Sequence, residues 1–221
     1  MFESTLHHQL KNYYTHPEDM QEAWVDGYLV DVLQSDRLIE IQTRNFLAIR
    51  PKLLALLPNH KVLLVHPIPA EKWIIRQDGE RQTRRLSPRR GRLEDLFFEL
   101  IRFPQLMEHP NLTLEIIMIQ MEEIRRNDGK GSWRRNGWSI ADRKLLNIKK
   151  QVQYDSPTDF RGLLPKMLRT PFTVRDLAGQ SGISINLAQK MAYCLKGMGQ
   201  LQTEGKKGRA QLYALPDLIK D

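Results

Sequence analysis

Apolar and polar positions alternate along the chain in blocks that predict a series of elements. Phe2, Leu6, Leu10 and Tyr13 or Tyr14 recur at helical spacing and predict a helix from Glu3 to Tyr14, ended by His16-Pro17. His7 and His8 read as surface of that helix rather than as ligands. Tyr28–Leu33 and Leu38–Thr43 are short β-branched, aliphatic and aromatic runs around the polar Gln34-Ser35-Asp36-Arg37, which predicts a β-hairpin. A helix follows with Ile49, Leu53, Leu54, Leu56 and Leu57 on its apolar face. Pro51 belongs near its start, because proline lacks the N–H that a helix interior needs. The unbroken apolar run Lys61–Ile68 predicts a strand buried on both faces. Glu71–Gln77 is a further strand ending at Asp78-Gly79. Leu93–Met107 predicts an amphipathic helix and Leu112–Met121 a long apolar strand. Arg143–Gln153 is a basic segment whose pattern suits a strand or a helix.

The composition shifts at Asp155-Ser156-Pro157-Thr158, which divides the chain into residues 1–155 and 156–221. Thr158 can cap a short helix holding Phe160, Leu163 and Leu164. Thr173 and Ser184 are N-cap residues of two helices joined through Gly182. Gln200–Glu204 then turns at Gly205-Lys206-Lys207-Gly208 and returns through Arg209 to Leu215. This last segment resembles a winged helix-turn-helix domain, a module that commonly binds DNA and in many cases binds protein instead. The resemblance implies DNA contacts from Asn186, Lys190, Lys206, Lys207 and Arg209.

Within the hairpin, two acids interrupt strands that are otherwise apolar. Side chains alternate along a strand, so Leu29, Asp31 and Leu33 share a face, as do Leu38, Glu40 and Gln42. If those faces coincide, Asp31, Glu40 and Gln42 converge. Two adjacent carboxylates raise each other's pKa unless a cation lies between them, and Mg²⁺ is a hard ion suited to carboxylate and carbonyl oxygens. The pattern Asp31, turn, Glu40-Ile41-Gln42 resembles the active-site motif of the PD-(D/E)XK nuclease superfamily. Val30 stands where that motif has Pro, and Gln42 where it has Lys. The resemblance implies a restriction-endonuclease-like α/β fold and a Mg²⁺ or Mn²⁺ ion held by Asp31, Glu40 and the Ile41 carbonyl. It also implies that Gln42 orients the attacking water, with Glu3 assisting from the first helix. Arg44 or Lys52 would supply the positive charge that Gln42 lacks.

Charge strengthens the expectation of a polyanionic partner. The 221 residues carry 34 Lys and Arg against 26 Asp and Glu, a net charge of +8. Six arginines fall between Arg81 and Arg92 with no acid among them, and Arg84, Arg85, Arg89 and Arg90 are expected to meet phosphates. Between Arg125 and Trp138, Arg134 and Arg135 alternate with Trp133 and Trp138, a mixture that suits stacking on bases. The single cysteine, Cys194, excludes an internal disulfide, and no Cys/His zinc spacing occurs. No apolar run reaches membrane-spanning length and the start is unlike a signal peptide, so a cytoplasmic protein without membrane contact is expected. The reading is therefore a metal-dependent DNA endonuclease, with a homodimer expected if it cuts both strands. Its alternatives are a DNA-binding regulator on a catalytically silent nuclease fold, and a protein-interaction module.

Overall fold

The structure, a computed structural model, describes residues 4–216. They form a mixed α/β fold. Helix α1 (Thr5–Tyr14) is followed by strands β1 (Met20–Val25), β2 (Tyr28–Leu33) and β3 (Leu38–Ile41), then by α2 (Phe46–Leu56) and β4 (Val62–Asp78). Next come β5 (Arg81–Leu86), the one-turn helix α3 (Phe97–Leu100), β6 (Leu112–Asn127) and β7 (Trp138–Tyr154). Helices α4 (Val174–Ser181) and α5 (Ile185–Gly197) and strands β8 (Gln202–Lys207) and β9 (Ala210–Ala214) complete the described chain. Seven strands share one sheet in the order β1-β2-β3-β4-β6-β7, with β5 added on β4; β8 and β9 form a separate hairpin.

Local chemistry explains the first elements. The Ser4 hydroxyl accepts the His7 N–H and caps α1, and Leu6, Leu10 and Tyr14 are buried one turn apart. Asp26 and Gly27 both have positive φ, +48° and +80°, which gives the β1–β2 hairpin a turn whose twist matches its strands. In β2, Val30 and Val32 are fully buried while Leu29 and Asp31 point to the other face.

Several elements differ from the sequence expectation. Lys61–Ile68 and Glu71–Gln77 are one continuous strand, β4, and Pro67 and Pro69 do not interrupt it. The arginine run is not a loop throughout: Arg81–Leu86 pairs antiparallel with β4, because that long strand extends past its neighbours and offers a partner. Leu93–Met107 breaks into 3₁₀ turns at Leu93–Leu96 and Pro104–Glu108 around α3, where Pro104 ends any regular helix. Pro51 lies inside α2, at the sixth of eleven positions. Arg143–Gln153 is strand, within β7. The short C-terminal helix is a 3₁₀ helix, Pro157–Leu163, capped by Ser156 rather than Thr158, with Asp159 closing the capping box.

The described contacts separate the chain into two units. The first comprises residues 1–43, 65–92 and 115–152. Its buried polar centre is Tyr14, whose hydroxyl donates to Glu115 Oε2 at 2.9 Å while Gln151 donates to Glu115 Oε1 at 3.1 Å. Burial, then the Glu115 carboxylate, pushes the Tyr14 phenol far above its usual pKa. The second unit comprises residues 44–64, 93–114 and 153–221. Phe46 and Phe103 stack there at 5.2 Å, as do Tyr154 and Phe160 at 4.4 Å. Helix α5 buries Leu187, Ala188, Met191, Ala192, Cys194 and Leu195, and Gly197 passes close to Pro104.

Candidate active site and basic surfaces

The β2–β3 register pairs Val32 with Ile39 and Leu33 with Leu38, and one further step of the same register would set Asp31 opposite Glu40. The β1–β2 register likewise brings Glu22 beside Asp31. Asp31 Oδ2 accepts the Ile41 N–H at 2.7 Å. His7 Nε2, from α1, lies 2.9 Å from the Ile41 carbonyl oxygen and 3.2 Å from Asp31 Oδ2. His7 is thus half-buried against the hairpin rather than plain helix surface. Its signal in the sequence was position: it falls between Leu6 and Leu10, close to the buried stripe. One turn on, Lys11 is buried to 2% exposure and its ammonium meets Glu22 Oε1 at 2.6 Å. Glu22 has φ of +53°, a left-handed backbone that costs about 1 kcal/mol outside glycine and is held here by that ion pair and the flanking ladder.

Glu40 is buried at 3% exposure. The Gln42 backbone is fixed on both sides: its N–H donates to the Val65 carbonyl at 2.9 Å, and its carbonyl accepts His66 Nδ1 at 2.6 Å. Glu3 lies outside the described residues. Among the described residues, no three His, Cys, Asp or Glu side chains gather closely enough to hold a metal ion. The donor set that does converge is two side chains, His7 and Asp31, plus the Ile41 carbonyl. A carboxylate, a carbonyl and an imidazole together suit a divalent cation of the Mn²⁺ or Mg²⁺ type, with the imidazole favouring the former.

The expected nucleic-acid residues fall into three settings. Arg84 lies over the Trp73 ring at 3.9 Å and donates to Glu122 at 3.0 Å, and Arg90 is 3.8 Å from Glu71. Their charge is partly engaged within the protein. Arg85 and Arg89 are exposed. In the β6–β7 loop, Trp133 is 81% exposed with the Arg134 guanidinium 5.3 Å from its ring, and Arg135 donates to the Trp138 carbonyl at 3.1 Å. Gly131 makes that loop possible, since a Cβ there would lie 1.9 Å from the Trp138 carbonyl oxygen.

In the second unit, the Thr173 hydroxyl and Asp176 carboxylate cap α4 reciprocally, and Gly182 in the left-handed region turns the chain into α5, capped by Ser184. Phe172 and Tyr213 exchange backbone hydrogen bonds that tie this start to β9. Between the α4 and α5 N-termini and the β8–β9 hairpin opens a cleft of about 530 Å³. Arg175, Gln189, Lys207 and Arg209 line it over Val174, Ile185 and Ala210. Asn186 and Lys206 are exposed and Lys190 is half-buried. Arg175 and Gln189 were missed by the sequence reading; Gln189 lies one turn from Ile185 on α5, so helical spacing alone pairs them.

A family model described as a domain of unknown function, DUF8091, matches residues 4–155, and the chain belongs to that family. A protein of Treponema pallidum (strain Nichols) named as uncharacterized is 31% identical over 214 residues, covering 96% of this chain and 84% of that protein. No solved structure matches the chain.

Proposed function

We propose that this DUF8091-family chain is a divalent-metal-dependent DNA endonuclease of the restriction-endonuclease-like kind, whose C-terminal helices and hairpin act as a winged-helix DNA-binding module. One observation carries the reading. His7 Nε2 lies 2.9 Å from the Ile41 carbonyl oxygen and 3.2 Å from Asp31 Oδ2, beside the strand that carries Glu40. Asp31, the Ile41 carbonyl and His7 would hold the ion, with Glu40 beside them. A bound Mg²⁺ or Mn²⁺ supplies Lewis acidity toward a phosphoryl oxygen and lowers the pKa of a water.

The chain's own residues prepare that site. The Ile41 N–H fixes the Asp31 rotamer, so the carboxylate is not free to swing away. His7 Nε2 approaches both oxygens from the helix side and is positioned there by the Ser4 cap of α1. The Val65 and His66 bonds hold the Gln42 backbone at the end of β3, and the expected role of its amide is to orient a water. Gln42 cannot supply the charge that an ammonium would. The cleft lined by Arg175, Gln189, Lys207 and Arg209 supports the DNA-binding half of the proposal through charge and a readout-capable amide.

A second reading, a DNA-binding regulator with a silent site, is favoured by the same neutral Gln42 and by the Ile41 N–H already engaging Asp31. Incubating supercoiled, linear duplex and single-stranded DNA with the full chain in Mg²⁺ and in Mn²⁺ separates the two. The enzyme reading expects cleavage of at least one form, and retained or increased cleavage in Gln42→Lys. If neither protein cuts any form with either ion, the regulator stands.

A further inference from the structure

Away from the Asp31 site, one face of the sheet gathers cations around a single buried carboxylate. Glu123 of β6 is 4% exposed. Its Oε1 accepts Arg125 Nε at 2.8 Å and Nη2 at 2.5 Å, and its Oε2 lies 3.4 Å from Lys72 Nζ and 3.7 Å from Arg143 Nε. Lys72 and Arg76 are even positions of β4 and share a face, as Glu123 and Arg125 do on β6. Arg85 joins them, because it stands opposite Ile74 in the β4–β5 register. Arg76 places its guanidinium 5.1 Å from the Trp138 ring centroid, and its Nε is buried without a hydrogen-bond partner among the described residues. The other acid of that β4 face, Asp78, is exposed at the strand end and bonds Asn127 at 3.3 Å.

Five cations from four strands thus face one buried acid. Burial opposes ionisation of Glu123, yet Arg125, Lys72 and Arg143 together hold its pKa below the ordinary glutamate value of 4.5. The carboxylate stays charged and fixes the cations in place. Their summed charge exceeds its own, and a surface with such a surplus attracts anions. Arg125 uses two of its five N–H donors on Glu123, so its fork still offers a face to a second oxyanion.

We propose that this face binds a backbone phosphate of DNA, with Lys72, Arg125 and Arg143 as its ligands, Glu123 as their internal positioning group, and Arg85 and Arg76 with Trp138 along the flank. The proposal rests on the DNA-binding half of the function above and extends it to residues outside the arginine runs. The two non-bridging oxygens of a phosphodiester can take donors from three strands at once, and guanidinium forks match them bidentately.

The test is binding of a labelled duplex to the full chain in EDTA, which removes cleavage from the readout, over a series of salt concentrations. Lys72→Met with Arg143→Gln should weaken binding at least tenfold and flatten the log–log salt slope by roughly two units. Arg85→Gln, at an exposed position where folding is not at stake, should flatten it by roughly one. Glu123→Gln removes the negative charge that competes with phosphate and should tighten binding, whereas a purely structural ion cluster would bind as before. Duplexes with and without a 5′-phosphate should behave alike; dependence on that end group would overturn the backbone assignment. If the wild type binds and both cation variants keep its slope, this proposal fails alone. If the wild type binds no duplex even at low salt, it fails together with the DNA reading.

Discussion

Asp31 has its position set by two neighbours, the Ile41 N–H and His7. Replacing His7 by Ala removes one of the converging donors without touching the sheet core. The account expects cleavage in Mn²⁺ to fall between tenfold and a hundredfold, the usual scale for losing one ligand-shell group, while the melting temperature stays within a few degrees. Full activity in His7→Ala would remove the imidazole from the site. Cys194 gives a second residue-scale prediction. It is fully buried in α5, and burial pushes its thiol up to about 12. Since the thiolate is the reactive form, a thiol reagent at pH 8 should leave the native protein unlabelled and label it after denaturation. Rapid labelling of the native chain would show that α5 opens readily. His7 itself was hard to read from the sequence. A histidine beside an apolar stripe looks the same whether it faces solvent or a strand, and only the packing of α1 on β2 and β3 decides.

At the scale of elements, Gly131 in the β6–β7 loop is a sharp test of local geometry. A methyl group there would collide with the Trp138 carbonyl at 1.9 Å, and the Gly131 N–H donates to the Gly137 carbonyl at 2.8 Å. Gly131→Ala should destabilise the protein by about 1–3 kcal/mol and change the tryptophan fluorescence from Trp133 and Trp138, read by thermal melting followed at that signal. An unchanged melt would mean that the loop adjusts freely. The elements legible in the sequence were those with local signatures. The caps Thr173 and Ser184 and the turn at Gly182 are short-range chemistry and lie in the structure where the sequence puts them. Strand β1 was not read. Its burial alternates weakly and most of it is exposed, so apolar periodicity could not find it. Asp26-Gly27 was the available signal, because a turn with two positive φ values demands those residues. The arginines of β5 concealed a strand for a different reason. Six like charges look unfit for a ladder, and only the long-range neighbours Trp73 and Glu122 make Arg84 compatible with one.

For the whole molecule, charge and pH govern the expected behaviour. Glu123 and Asp142 both ionise more readily in the folded chain: burial opposes this in each, but cations around Glu123 and the Thr5 bonds to Asp142 outweigh it. A carboxyl with a depressed folded pKa adds stability above its unfolded value, and that stability is lost as pH falls through the folded value. Melting temperature should therefore hold above about pH 5 and drop as pH falls below the ordinary glutamate value of 4.5, with a shallower drop in Glu123→Gln. A flat profile down to pH 3 would contradict it. No helix among the described residues is long and apolar enough to cross a membrane. The net charge of +8 and the basic surfaces of both units are consistent with a polyanionic partner. The central claim is that the Asp31 site performs metal-dependent hydrolysis of DNA. Its most direct test is the cleavage rate of the wild type and of Asp31→Asn on the same substrate in Mn²⁺, with DNA binding measured in parallel. A site ion worth ~4 kcal/mol in the transition state predicts a loss of about a thousandfold with binding unchanged or tighter. Equal rates for the two proteins, or no cleavage by the wild type, would contradict the account.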